Sequence, residues 1–572
     1  ERELKMNKAP LMILLTLLTF SVFAQELTEE QLMNSPYKKQ YFQRTRDAMV
    51  MLSDGKLEQA INYLNEVLKA YKDLPTFQIL DNPNATIINS VDLKDYLNKY
   101  PEDAEALFGL ALAYSLKDEF SQSNKYVQKA LNAGLPPERF LAGPKSLAKG
   151  LYYNKDFQNL ILSKNDYLLI HGPTLTNVTP KSAEFWIRTR KEMPVKVAVH
   201  LNEKNSDIIY SKTVRSNSKK DYTAVLHVDG LKPKSTYNYN LFINNKLLPQ
   251  TWTFTTFPEK SISSKFQVGF GGGASNTPWH EIMWTTIASH NLAAFLFMGD
   301  NVYIDHPFYP EVQRYCYYCR QSRKEFRDFA AITPIYAIYD DHDFSGNDSW
   351  GGPQAYKPEW KVKVWNVFKE NWNNPYYGGG YKSPGCWFNF SIADVDFFML
   401  DCRYYRDDPN SENPSMLGEK QKTWLFNQLK NSKATFKVIA SSVPWTFEAK
   451  IGADKIDTWF GYKDEREEIF SFLDKEKIEG VILISADRHR SDIWKIERNN
   501  GYNLYEFMNS RLTNAQAHLT MPGSIYSYNE KNSFGVLHFD TTLSDPSVSF
   551  IIYNIDNERV YEFKIKHSEL TY

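Results

Sequence analysis

Cysteine is scarce in this sequence, which has four cysteines in 572 residues. A dense framework of disulfide bonds is therefore excluded as the main source of stability. Cys316 and Cys319 have the C-x-x-C spacing of half a zinc site, but no second pair with that spacing follows, so we rank zinc binding last. We expect the cysteines either to form disulfides or to remain as free buried thiols.

An excess of charge of either sign is also missing, because 67 basic residues face 68 acidic ones and the formal net charge is −1. Without a basic excess, the composition does not indicate specific binding to nucleic acid or to an acidic polymer. Aromatic residues, in contrast, make up 15% of the chain. We interpret them as filling large cores rather than binding carbohydrate.

Long apolar runs are absent except for one near the start, at residues 11–23. This run follows Met6 and Lys8 and ends before the small residue Ala24, which predicts a secretory signal peptide over residues 6–24. The run is short for a membrane span. We therefore expect an exported protein, periplasmic or secreted, without a transmembrane span after cleavage of the signal.

The spacing of apolar residues changes along the rest of the chain and predicts three folded regions. Residues 25–150 have the helical spacing of tetratricopeptide (TPR) repeats. Residues 165–258 alternate with a period of two, which predicts a β-sandwich of fibronectin or immunoglobulin type. Residues 265–572 alternate short apolar runs with amphipathic stretches, which predicts a layered α/β domain with buried strands.

The TPR-like region has two interpretations. Its two imperfect repeats are few for an independent solenoid. One interpretation is a platform that binds a protein partner. The other, which we favour slightly, is a helical cap packed on the rest of the chain.

Acidic, tyrosine and histidine side chains directly follow three of the predicted strands of the α/β region. Ligands of such domains collect at the carboxyl ends of strands. Buried carboxylates are costly unless a cation compensates them, and imidazole adds affinity for transition metals. Three such strand ends in one domain favour a metal site over three unrelated helix caps. The side chains concerned are Asp300, Tyr303, Asp340, Asp341, His342, Asp487 and His489.

These segments resemble the motifs of the PhoD-like (alkaline phosphatase D) metallophosphoesterase family. Residues 299–303 match GDxxY, residues 340–343 resemble DDHE, and residues 486–489 are similar to G-D-x-H with alanine in the first position. The resemblance covers roughly residues 167–572. It implies hydrolysis of phosphate monoesters, phosphate diesters or both by a metal-activated water, with a small phosphate ester as the substrate. The alternatives are a phosphodiesterase or phospholipase D-type activity and a non-catalytic scaffold with a degenerate phosphatase domain.

The resemblance also implies a role for each matching residue. Asp300 would bridge two metal ions, and Tyr303 would bind one of them as a phenolate, for which Fe³⁺ is the natural partner. Ca²⁺ is the implied second ion, with other divalent ions open. The implied metal ligands are Asp300, Tyr303, Asp340, Asp341, Asp487 and His489, and the implied contact to phosphate or leaving group is His342. From their positions near these strand ends, Arg403 and Arg488 are candidates to bind phosphate, with a structural ion pair to a nearby carboxylate as the equal alternative.

One position departs from the family pattern. The first strand of the family usually supplies a cysteine or aspartate ligand, whereas residues 270–276 of this chain contain neither. The three consecutive glycines of this loop let the backbone approach a phosphate closely. Ser275 and Asn276 are weak substitutes as ligands. This departure is the motivation for the scaffold alternative.

Overall fold

The computed structural model describes residues 39–71, 85–87, 89–163, 165–203 and 205–572. The predicted signal peptide lies outside these residues. Within them, every helix falls short of the length and apolar character that a membrane span requires. A single cluster of buried apolar side chains extends from the N-terminal helices through the sandwich region into the α/β region.

The N-terminal segment is built from helices that pair as antiparallel hairpins. The helices are α1 (Tyr41–Ser53), α2 (Leu57–Ala70), α3 (Leu93–Lys99), α4 (Ala104–Leu116), α5 (Phe120–Asn132), α6 (Pro137–Ala142), α7 (Lys149–Tyr153) and α8 (Lys155–Leu162). A short strand, β1 (Ala85–Ile87), precedes α3. A Cβ atom added at Gly109 of α4 would lie 3.0 Å from Leu64 Cδ1 of α2, so the glycine lets these two helices pack closely.

This segment packs on the remainder of the chain through buried polar contacts as well as apolar ones. Arg139 donates to both carboxylate oxygens of Glu105 at 3.1 Å, and Tyr315 of the α/β region donates to the same carboxylate at 3.0 Å. The cap interpretation predicts this kind of packing. Binding of a protein partner stays a prediction.

Residues 169–255 form two antiparallel layers. The strands are β2 (Leu169–Thr176), β3 (Ser182–Thr189), β4 (Pro194–Leu201), β5 (Ile208–Tyr210), β6 (Val214–Arg215), β7 (Thr223–Asp229), β8 (Thr236–Ile243), β9 (Lys246–Leu247) and β10 (Trp252–Thr255). Phe185 of one layer lies 4.5 Å from Tyr239 of the other, measured between ring centroids. Lys232 N donates to Tyr237 Oη at 2.8 Å, which is the contact that defines a tyrosine corner.

The sequence predicted a sandwich domain over residues 165–258. In the structure, one layer of this sandwich is shared with the α/β region. Its layer β2-β3-β7 continues into a sheet of the α/β region, because β2 pairs with β13 (Ile335–Ile338) at Thr176 and Ile335. Alternating hydrophobicity reports that a strand is half buried, but it does not report which strand lies beside it.

The α/β region consists of two sheets with helices on their outer faces. The strands are β11 (Lys265–Gly271), β12 (Ala294–Met298), β13, β14 (Phe388–Ile392), β15 (Val395–Met399), β16 (Phe436–Ala440), β17 (Val481–Ser485), β18 (Ser491–Ile496), β19 (Leu504–Asn509), β20 (Gln516–His518), β21 (Tyr526–Tyr528), β22 (Ser533–Asp540), β23 (Ser547–Asn554) and β24 (Arg559–Lys566). The helices are α9 (Ile282–Ala288), α10 (Pro310–Gln321), α11 (Lys324–Ile332), α12 (Asp341–Phe344), α13 (Trp360–Asn371), α14 (Gly418–Asn431) and α15 (Lys463–Lys475).

The two sheets face each other across an aromatic core. One has the order β24-β23-β22-β11-β12-β13-β2-β3-β7 and the other β14-β15-β16-β17-β19-β18-β21. Across the core, the rings of Phe507 and Phe550 lie 4.7 Å apart, and those of Tyr336 and Phe390 lie 3.9 Å apart. These contacts agree with our interpretation of the high aromatic content.

The parallel strands of both sheets deliver their carboxyl ends to one edge of the molecule. Strands β11, β12 and β13 are parallel, as are β15, β16, β17 and β19. A parallel bridge between Gly272 and Ser510 joins the ends of β11 and β19, and therefore joins the two sheets at this edge. The loops after β12, β13 and β17 all open here.

The cysteines are free buried thiols, which is the second of the two alternatives left by the sequence. All four lie in described parts of the chain, and none forms a disulfide there. Cys316 and Cys319 are one turn apart on α10.

The buried ion pair between Arg139 and Glu105 predicts a large stability effect. In Arg139→Met, an uncompensated Glu105 carboxylate remains buried, so we expect a loss of about 3–5 kcal/mol in the free energy of unfolding. Thermal and urea unfolding followed by circular dichroism measure the loss. Arg139→Met combined with Glu105→Leu should recover most of it, and equal losses in the single and double variants would contradict this account.

Candidate metal centre

The loops after β12 and β17 bring three predicted ligands to one point. Tyr303 Oη lies 3.1 Å from Asp300 Oδ2 and 3.0 Å from His489 Nε2. All three side chains are at least 95% buried. Segments almost two hundred residues apart in the sequence therefore meet, because both follow strands that end at the same edge.

The loop after β13 adds a carboxylate and an imidazole to this point. One ligand atom each of Asp300, Asp341 and His342 lies within 4.8 Å of the others. Asp341 Oδ2 accepts a hydrogen bond from Asp348 N at 2.7 Å, which holds the carboxylate in place. The two loops are also tied together by Asp343, whose Oδ1 accepts from Val302 N at 2.9 Å.

The protonation equilibria of this site depend on burial and on crowded carboxylates. Burial raises the pKa of Asp300 well above its usual value, and the charge of Asp341 raises it further. Burial and Asp300 likewise raise the pKa of the Tyr303 phenol, so this phenol ionises at neutral pH only beside a strong Lewis acid. Burial lowers the pKa of His489 and keeps its ring neutral, which is the form that binds metals.

Several buried oxygens of the site are left without a hydrogen bond, which tests whether a cation fits there. Asp300 Oδ1, Asp340 Oδ2 and Asp487 Oδ2 accept no hydrogen bond from any described residue. Unsatisfied carboxylate oxygens are expensive to bury, and they are the ligands that hard cations prefer. The donor set of carboxylates, one phenol and one imidazole therefore fits metal ions.

The backbone is strained at the same residues. Asp300, Asp487 and His489 have φ angles of 52°, 69° and 43°, in the left-handed region that residues other than glycine rarely adopt. Each such residue costs of order 1 kcal/mol or more, and such residues cluster at functional sites. The surrounding sheets hold these side chains in orientations that an unstrained loop would not give.

The glycine loop after β11 explains how this chain differs from the family pattern. A Cβ atom at Gly272 would lie 2.8 Å from Ala486 Cβ and 2.9 Å from Gly299 O. Both neighbours belong to ligand-bearing loops, so no side chain fits at this position. The loop therefore contributes backbone, and no cysteine or aspartate side chain, to this part of the site.

Asn514, which the sequence analysis missed, reaches the site from the loop that packs on these glycines. Its backbone N donates to Gly273 O at 3.1 Å, and its Nδ2 donates to Tyr303 Oη at 2.7 Å. Nearby, the ring of His518 stacks on His489 with centroids 4.9 Å apart. Neither residue lies in a motif, and a single asparagine or histidine in a loop gives no sequence signal of its own.

Arg403 forms buried ion pairs, which is one of the two alternatives left by the sequence; its contact to phosphate stays a prediction. It is fully buried, and it pairs with Asp340 at 2.5 Å and Asp457 at 2.8 Å and donates to Ser349 O at 3.1 Å. A guanidinium pairs with the nearest buried carboxylates because an unpaired buried charge is costly. Asp340, named as a possible ligand, therefore has its Oδ1 occupied by Arg403 and retains one oxygen, Oδ2.

Arg488 and His342 lie beside the converging ligands. Arg488 Nη1 is 3.7 Å from Asp487 Oδ2, and its buried Nε has no hydrogen-bond partner in the described part of the chain. His342 Nδ1 bonds to Asp305 Oδ1 at 2.5 Å. Burial disfavours the charged ring, but Asp305 and Asp341 outweigh it and raise the pKa of His342 well above its usual value.

Two parts of this chain match known protein families. The PhoD-like phosphatase family matches residues 275–535, which contain all nine of the site residues that the sequence singled out. Residues 275–535 are therefore similar to a PhoD-like phosphatase domain. A domain of unknown function, DUF7800, matches residues 166–260 and coincides with the sandwich ahead of the PhoD-like domain.

Individual relatives agree with this placement. Alkaline phosphatase D of Bacillus subtilis (strain 168) is 32% identical over 114 residues, and the match spans 17% of this chain and only 20% of that relative's length. A solved structure of PhoD has a TM-score of 0.55 at 17% identity and covers 68% of this chain and 91% of its own. A purple acid phosphatase from yellow lupin (Lupinus luteus) has a TM-score of 0.52 at 12% identity, covering 70% and 76%. At these identities the two structures show a shared metallophosphatase-like α/β fold.

The close approach at Gly272 predicts that the PhoD-like domain does not tolerate a side chain there. Gly272→Ala should lower the free energy of unfolding by about 1–3 kcal/mol, because two ligand-bearing loops must move apart. The same shift should reduce the amount of metal that the purified protein retains, as measured by elemental analysis. Gly346→Ala is the matched control, since its added Cβ would meet its nearest neighbour, Asp305 O, at 4.0 Å. Equal effects of the two substitutions would refute the steric explanation.

Proposed function

We propose that this chain is a metal-dependent phosphoric ester hydrolase that acts on phosphate monoesters, phosphate diesters or both. The observation that carries the proposal is the convergence of Asp300, Tyr303, Asp341 and His489 at one edge of a PhoD-like domain, with buried carboxylate oxygens that a cation would satisfy. Phosphate ester hydrolysis needs such a cluster, because charge on the phosphoryl oxygens must be neutralised while water attacks.

Each residue has a part in this proposal. In it, Asp300 would be shared by the two halves of the site, with Tyr303 and His489 on one side and Asp341 on the other. Asp487 would complete the half that contains His489. Metal ions bound there would lower the pKa of a water and polarise the phosphoryl group. Fe³⁺ beside the phenolate and Ca²⁺ beside the carboxylates are the pair that we propose.

His342 and Arg488 act on the substrate in this proposal. The ring of His342 is held through Nδ1, so its other nitrogen is available to give a proton to the leaving oxygen. The unpaired Nε of Arg488 is a donor for a phosphoryl oxygen, since a buried guanidinium nitrogen needs an acceptor.

We also propose that the protein acts outside the cytoplasm and that residues 6–24 are its export signal. Support comes from the apolar run at residues 11–23. N-terminal sequencing of the protein recovered from the periplasm or medium tests this. A protein found only inside the cells, with residues 6–24 retained, would reject it.

Replacing Asp300 by Asn tests the activity. The amide keeps the shape but removes the charge shared by both halves of the site, so turnover of p-nitrophenyl phosphate should fall at least ~100-fold. Asp394→Asn is the matched control, because Asp394 is equally buried and bonds to Thr435 and Thr541 at the opposite end of β15. Near-normal turnover in Asp300→Asn with metals retained would reject the proposal. Parallel assays with bis(p-nitrophenyl) phosphate establish the preference between monoester and diester.

Metal removal gives a second test. A chelator should abolish turnover, and restoring ions should recover it, because the proposed reaction needs bound metal ions to activate water and to neutralise the phosphoryl charge. If Fe³⁺ binds beside Tyr303, the protein has a visible phenolate-to-iron absorption band that Tyr303→Phe abolishes. Elemental analysis identifies the ions directly.

The glycine loop favours one rival function, that of a scaffold whose phosphatase domain is degenerate. The family's first-strand ligand is missing, and the packing at Gly272 leaves no room for a side chain there. A folded protein that is colourless, metal-free and inactive with both esters would establish the scaffold and reject the hydrolase.

A further inference from the structure

Helix α1 of the N-terminal segment lies directly on the loop after β12. The ring of Phe42 is 4.7 Å from the ring of Tyr303, and the ring of His342 lies 4.5 Å from Tyr303. The tyrosine that the proposed function makes a metal ligand is therefore in ring contact with a side chain of α1. The PhoD-like family match begins at residue 275, so α1 lies far outside it.

Arg46 of α1 forms polar contacts with the same loop. Its Nη1 donates to Tyr303 O at 3.1 Å and pairs with Asp305 Oδ2. Arg46 is only 5% exposed, so these interactions are formed away from bulk water. A guanidinium suits this position because its rigid fork bonds Asp47 Oδ1 through Nε at 3.1 Å while Nη1 reaches the carbonyl and the carboxylate.

Asp305 links Arg46 to His342, which the proposed function places beside the substrate. Its Oδ2 pairs with Arg46, and its Oδ1 holds His342 Nδ1. A carboxylate fixed at one oxygen by an arginine cannot rotate freely, and so the imidazole bonded to its other oxygen is also fixed. The side chains of Arg46 and Asp305 thus connect helix α1 to the proposed proton donor, His342.

We propose that Arg46 is a positioning residue for catalysis and that the N-terminal segment is a working part of the active site. This inference rests on the proposed function, since it gives Arg46 a role through His342. Through Asp305, Arg46 keeps the free nitrogen of His342 directed at the leaving oxygen. The helical cap thereby completes a site whose other residues all come from the PhoD-like domain.

The chain offers a matched control within the same helix. Arg44 is 2% exposed, and it donates to Lys39 O at 3.1 Å and to Ala70 O at 3.4 Å, both in the N-terminal segment. Arg44→Gln therefore disturbs the packing of α1 to a similar degree without touching Asp305. Arg46→Gln removes the charge and the fork, and Arg46→Lys keeps the charge while losing the Nε donor that bonds Asp47.

The leaving group distinguishes positioning from general destabilisation. In Arg46→Gln of the full chain with its metals, kcat for an alkyl ester such as glycerol phosphate should fall roughly 10–100-fold with little change in KM. For p-nitrophenyl phosphate, kcat should stay within about threefold, because its leaving group needs little protonation. Arg46→Lys should recover part of the alkyl-ester rate. Equal losses with both esters, or the same pattern in Arg44→Gln, would overturn the proposal.

A double-mutant cycle tests whether the effect passes through Asp305. If it does, adding Arg46→Gln to Asp305→Asn should lower the alkyl-ester kcat by less than about twofold. Independent, multiplying losses would overturn the route through Asp305.

Hydrogen exchange gives a readout that does not require activity. Arg46→Gln should speed amide exchange in residues 300–306 and 341–345, whereas Arg44→Gln should not. Unchanged exchange in Arg46→Gln would overturn the proposal. If wild-type protein hydrolyses neither ester, the proposed function fails, while the exchange measurement still decides whether Arg46 orders these loops.

Discussion

The structure of this site depends on how many carboxylates the fold buries at one edge and on how each is compensated. A buried carboxylate needs a cation or several hydrogen bonds. Asp457 has Arg403 and Arg406, both at 2.8 Å, and Asp305 has Arg46. Among the described residues no basic side chain forms an ion pair with Asp300, whose Oδ1 also lacks a hydrogen bond. The fold therefore separates carboxylates that it neutralises itself from one that it leaves for an external cation.

The same reasoning decides between two acidic clusters of similar geometry. Asp341, Asp348 and Asp457 also bring their oxygens within 4.8 Å of one another. However, Lys450 lies 3.3 Å from Asp348 and 3.6 Å from Asp457, and both arginines named above add to it. This cluster already holds its counter-charges, so distance alone would be a poor guide to a metal site. Compensation of charge is the better criterion.

The sequence predicted the parts of this site that depend on strand ends. A buried strand followed at once by an acidic residue specifies both an element and the edge at which its loop opens, so Asp300, Asp341 and His489 could be placed together in advance. The sequence could not predict which buried carboxylate a given arginine would meet. The sequence left Arg403 open between phosphate binding and a structural ion pair, and it pairs with Asp340 and Asp457, because tertiary packing decides such pairings.

Residues that approach from distant parts of the chain were also beyond prediction. Asn514 follows an ordinary strand, and Arg46 lies on an amphipathic helix whose period shows only that one face is buried. The sequence also did not predict that the sandwich shares a sheet with the α/β region, since this connection depends on the single pairing of Thr176 with Ile335. Local periodicity fixes an element and its buried face, and it leaves the identity of the neighbour open.

The N-terminal segment and the glycine loop together show how the site is held without the usual first-strand side chain. Gly272 brings the backbone at the end of β11 against the two loops that carry Asp300 and Asp487, so the ends of three strands are packed to contact distance. Asn514 then bonds Tyr303 from one side, while Phe42 and Arg46 contact it from another. A strained left-handed residue such as Asp300 persists only if its surroundings determine its position fully. In this chain those surroundings include helix α1, which lies outside the PhoD-like domain. The helical cap therefore packs directly against the site.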